Sequence, residues 1–83
     1  MNRVFSRRVD SDFEAEQMAK AMLDVGCEVI SVVFNGMRRD PQAMADHATF
    51  VVFARADRRQ QIDEADERFH AWLDSLTPQK LTG

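Results

Sequence analysis

The chain has 83 residues, of which 45 % are hydrophobic and 30 % charged, and it carries a formal net charge of -3. Those values describe one globular domain and exclude a disordered chain or a strongly basic coat for DNA or membranes. No apolar run approaches the roughly 18 residues of a membrane span, and Met1 to Val9 carries arginines with no long apolar segment behind it, which is unlike a secretory signal.

Cys27 is the one cysteine, so an internal disulfide is excluded and a reducing, cytoplasmic setting is expected. A domain this small buries only about 60–65 % of the surface of its unfolded chain. Self-association is an economical way to bury more.

Arg3 to Val9 reads as a short strand. Ser11 to Val25 reads as a helix. Ser11 followed by Glu14 fits a capping box, in which each side chain satisfies a backbone donor left free at the helix start. Ala15, Met18, Ala19, Met22 and Val25 recur at helical spacing as one apolar stripe, and Gly26 is suited to the left-handed residue that ends a helix. Cys27 to Phe34 is rich in β-branched and aromatic residues and reads as the second strand. Asn35-Gly36 is a turn signal and Asp40-Pro41 a second break, so a connection of about 12 residues is expected there, with a single helical turn over Gln42 to Asp46. Ala48 to Ala56 is the third strand. Asp57, with Gln60 three residues on, is the expected cap of a long second helix. Its buried stripe is Ile62, Ala65, Phe69, Trp72, Leu73 and Leu76, and Thr77-Pro78 ends it. Residues 1–78 form the expected domain and 79–83 a loose tail.

The order β-α-β-β-α places the chain in the α+β class. The crossover through the first helix makes the first and second strands parallel. The third strand then lies between them, giving a three-stranded sheet of order 2-3-1 packed with two helices, a ferredoxin-like fold lacking its last strand.

Both middle strands are apolar at odd and even positions alike. Ile30, Val32 and Phe34 alternate with Val29 and Val33, and Val51 and Phe53 with Phe50 and Val52. An antiparallel strand with one wet face alternates apolar with polar. Both faces of this sheet are therefore expected to be covered, by a helix on each side, by a second copy of the chain or by another partner.

Nine of the eleven basic residues are arginine. Arg7 and Arg8 end the first strand and Arg38 and Arg39 follow the second, so with parallel strands the two pairs share one end of the sheet, near the start of the first helix. That end is a candidate anion site, with Asp10, Asp12 and Asp40 as competing neutralisers. His47 and His70 are the only histidines. Asp66 and His70 stand four apart on a helix, but no second pair of ligands accompanies them, so no metal or other cofactor is expected. Ser6, Ser11, Ser31 and Ser75 have no obvious base, glycine-rich phosphate loops are missing, and no enzyme is expected.

In its element order, with Val4-Phe5 in the first strand and Phe50-Val51-Val52-Phe53 in the third, the chain resembles an RNA-recognition-motif domain across about residues 3–76. Such domains stack bases on aromatics of an open sheet face. The resemblance implies that Phe5 and Phe50 hold that role and that RNA or single-stranded nucleic acid is the ligand. Asp46 and His47 stand where the family's third-strand motif opens with a basic residue and glycine, and Ala48 where an aromatic is usual. The reading of the residues themselves is a small non-enzymatic protein-binding or dimerisation module, an adaptor or inhibitor, working through an apolar sheet face. Its interface residues are Phe5, Ile30, Val32, Phe34, Phe50 and Val52.

Overall fold

The computed structural model describes residues 2–42 and 44–76. Its elements are β1 (Arg3–Val9), α1 (Asp12–Asp24), β2 (Glu28–Asp40), β3 (Ala45–Ala56) and α2 (Arg59–Leu76). The sheet order is β1-β3-β2, with β3 antiparallel to both neighbours, so β1 and β2 run parallel at the two edges. This is the α+β arrangement expected from the sequence. The expected tail, 79–83, and the stop at Thr77-Pro78 lie outside the described residues.

Ser11 caps α1: its hydroxyl accepts from the Glu14 N–H at 3.0 Å, and the Glu14 carboxylate accepts in return from the Asp10 N–H at 2.9 Å. The return bond lands one residue ahead of the cap, so the box locks the exit of β1 as well as the helix start. Gly26 follows α1 with φ +92°, a region in which a side chain is strained. The expected cap of α2 is replaced. Gln61, rather than Gln60, folds back, and its Oε1 accepts from the N–H groups of Asp57 and Arg58, both at 3.0 Å. Its Nε2 donates to the Val25 carbonyl at 3.1 Å. One amide thus satisfies backbone groups at the start of α2 and ties them to the end of α1. At the other end of the pair, Phe13 of α1 meets Trp72 of α2 edge-on at 5.4 Å. The two helices therefore lie antiparallel against each other.

Both helices cover the same side of the sheet. Met18 and Met22 of α1, Ile62, Ala65 and Phe69 of α2, and Val52, Ala54 and Ala56 of β3 form a single buried cluster, closed by Val9 and Cys27. A helix on each side is excluded by that packing. Facing residues in paired strands point to the same side. The register therefore assigns Phe5, Arg7 and Val9 of β1, with Phe50, Val52 and Ala54 of β3, to the helix side. Val4, Ser6, Arg8, Val51, Phe53 and Arg55 belong to the open side.

The connection between β2 and β3 differs most from the sequence reading. Among the described residues no long excursion and no helical turn occur; β2 continues to Asp40 and β3 begins at Ala45. Asn35-Gly36 bends the strand without reversing it. It forms a bulge opposite Thr49, with Gly36 at φ +92° and the Thr49 hydroxyl 3.0 Å and 3.2 Å from the Gly36 and Asn35 carbonyls it serves. A glycine with positive φ fits a bulge as well as a turn, which is why the dipeptide alone misled. The hairpin projects past β1 and accounts for the 46 Å long axis of a molecule only 15 Å thick.

Candidate interaction surface

β2 is an edge strand that pairs with β3 alone. Two bulges divide it, one at Ile30 and one at Asn35-Gly36. Each inserts one residue and so reverses the alternation of the strand, which is why simple parity counting along β2 cannot assign sides. The register resolves it. Val29, Val32, Phe34 and Met37 face Ala54, Val52, Phe50 and Ala48 and belong to the helix side. Glu28, Ser31, Val33 and Arg38 face Arg55, Phe53, Val51 and His47 and belong to the open side.

Beyond the first residues of β2 the helices leave this edge uncovered. Ile30, Val32, Val33, Phe34 and Met37 are 43–60 % exposed. These five large apolar side chains lie within eight positions of one strand, on both of its sides. Phe34 meets Phe50 in a T-shaped arrangement, at 5.8 Å between ring centres. On the open side Val33 is flanked by the half-buried Val51 and Phe53, with Val4 exposed on β1. Glu28 and Arg55 pair across the strands at 3.2 Å, and Arg8 and Arg38 stand at the margin. An apolar centre with a polar margin is the usual composition of an interface.

The six interface residues expected from the sequence therefore separate. Val32, Phe34 and Ile30 are exposed on β2. Val52 is fully buried under the helices and is core. Phe5 and Phe50 pack partly against the same core from the helix side. Parity on β3 places Val51 and Phe53, not Phe50 and Val52, on the open side, and Val33 and Met37 are the exposed β2 residues the sequence reading left out. Phe5 and Phe50 therefore lie on the helix side of the sheet rather than on its open side.

The four arginines do not converge. Arg7 lies on the helix side, where its guanidinium holds the Asp66 carboxylate through two bonds of 2.9 Å. That hydrogen-bonded carboxylate raises the Arg7 pKa above its ordinary value. Arg8 points to the open side. Arg38 and Arg39 face His47 and Asp46 out on the hairpin, beyond the end of β1, and Arg39 pairs with Asp46 at 3.6 Å. The shared end expected for the two pairs is lost because β2 outruns β1. A shallow notch beside Pro41 brings Asp10, Arg38, Arg39, Asp40 and His47 together, and its acidic and basic members balance one another. His47 Nε2 lies 3.5 Å from Asp10 Oδ1. Asp66 is engaged by Arg7 rather than by His70, and no cluster of three metal-ligating side chains occurs among the described residues. Cys27 is buried, and desolvation pushes its thiol pKa up. Among the described residues, no helix is long and apolar enough to cross a membrane.

No family model, curated protein or solved structure matches this chain.

Proposed function

We propose that the protein is a non-enzymatic protein-interaction module that associates through the apolar surface centred on β2, with a second copy of the chain as its partner. The observation that carries this reading is the exposure of Ile30, Val32, Val33, Phe34 and Met37 on one edge strand. An edge strand that is long and apolar on both sides pairs with whatever strand it meets, and proteins that remain unpaired protect such edges with charge, proline or a covering element. Between Val29 and Phe34 this strand carries no charge and no proline. The single buried thiol suits a reducing, cytoplasmic setting.

Light scattering across a range of concentrations tests the reading. The expected result is a dimer whose mass falls to that of one chain in Val33→Asp, with the far-ultraviolet circular dichroism unchanged. A wild-type monomer at every concentration overturns it. Nucleic-acid binding that weakens steeply with salt, in a protein of single-chain mass, would favour the alternative reading as an RNA or single-stranded nucleic-acid module.

A further inference from the structure

The edge of β2 contains enough charge and shape information to specify how two copies meet. We infer that two β2 strands pair antiparallel about a two-fold axis at Val33, joining two three-stranded sheets into one of six strands; this rests on the dimeric reading above. A two-fold contact is isologous, so each side chain meets a counterpart dictated by one register.

Three constraints select that register. The first is sidedness. Residues that face one another across paired strands must point to the same side of the sheet, and a slip by one residue violates this everywhere. With Val33 opposite its own copy, Val32 faces Phe34 and Val29 faces Met37, and all four belong to the helix side. The second is the placement of the bulges. In this register Ile30 of one strand faces Gly36 of the other, so each bulge is matched by a bulge and the alternation stays in phase beyond them. The third is charge. Glu28 falls opposite Arg38, both on the open side, and symmetry makes this contact twice. Arg38 makes no ion pair among the described residues, and the Glu28 carboxylate is exposed beside Arg55.

The neighbouring registers, centred on Val32 or Phe34, lose this match, and the second also sets Ser31 of the open side against Met37 of the helix side. Centring on Val32 places Glu28 opposite Gly36. Centring on Phe34 places Glu28 opposite Asp40, carboxylate against carboxylate. Only the Val33 register pairs opposite charges while burying Val32, Phe34 and Met37 against apolar partners. It also closes the β2 edge, the feature that makes the isolated chain prone to uncontrolled strand addition.

Charge reversal tests the register. Glu28→Arg and Arg38→Glu each place like charges together twice per dimer and are expected to weaken dimerisation about tenfold, and the double variant to restore it to within about threefold of wild type. The readout is the dimer dissociation constant from sedimentation or light scattering. As an independent measurement, Val33→Cys in a Cys27→Ala background is expected to give a covalent dimer with a short bismaleimide, whereas Arg8→Cys in the same background, on the far edge of the sheet, gives none. A dimer that ignores both single reversals and does not cross-link through position 33 overturns the register and leaves the dimeric reading standing. A monomeric wild-type chain overturns the reading itself.

Discussion

The two long strands of this protein contrast in how their apolar residues are used. β3 lies at the centre of the sheet, and its even positions from Val52 to Ala56 are sealed beneath two helices. β2 is also rich in apolar residues but lies at the edge, and its large apolar side chains from Ile30 to Met37 are largely uncovered. Composition therefore does not separate core from surface here; position in the sheet does. Two antiparallel helices cover β1, β3 and the first residues of β2, and there is no third helix among the described residues to cover the rest.

Charge placed in each strand breaks this comparison most directly. Val52→Asp buries an unpaired carboxylate, a penalty of several kcal/mol that rivals the whole stability of a small domain. Loss of the cooperative urea transition is expected. Val33→Asp places the same group at the exposed edge, and its unfolding free energy from urea titration, measured on the monomer, should lie within about 0.5 kcal/mol of the equivalent wild-type state. Equal damage from the two would mean that β2 is core in solution. A milder probe of the covered side is Met22→Ala. It removes a fully buried side chain and is expected to cost about 2–5 kcal/mol by chemical denaturation.

Two glycines sharpen the comparison at the backbone. Gly26 and Gly36 share φ +92°, so alanine at either costs about 1–2 kcal/mol of strain. A Cβ at Gly26 would also stand 3.0 Å from Gln61 Nε2 and press on the clasp between the helices, whereas a Cβ at Gly36 meets nothing within 4 Å. Gly26→Ala should therefore be the more destabilising of the two, and a reversed ranking in urea would show that the Gln61 clasp yields freely. A smaller effect than at either glycine is expected at Thr49, whose hydroxyl serves the bulge carbonyls. Thr49→Val should cost about 0.5–1.5 kcal/mol, with faster amide exchange confined to the hairpin. Cys27 offers a chemical check on the covered side. Burial raises its thiol pKa, so at neutral pH it stays protonated and should react with a thiol reagent only as fast as the domain opens.

Much of the fold was legible in the residues, because the signals were local. The Ser11–Glu14 box marked the start of α1, and the stripe through Ile62, Ala65 and Phe69 marked the buried side of α2. The β-branched runs marked both long strands, and strand order followed from the crossover. The candidate site was legible in part. An apolar excess on β2 and β3 announced a surface needing cover, yet the choice of Phe50 and Val52 over Val51 and Phe53 was a choice between two parities with equal hydrophobicity. Asn35-Gly36 carried the same local signature for a bulge as for a turn.

The sequence by itself determined which segments fold as helices and strands, since capping, periodicity and β-propensity act over a few neighbouring residues. It also determined that both faces of the sheet carry apolar residues in need of cover. Only the tertiary structure decided which side the helices take, that Arg7 is held by Asp66 fifty-nine residues away, and that two bulges reverse the sides of β2. Those outcomes depend on the register between strands distant in the chain, where a shift of one residue exchanges the buried side for the exposed one.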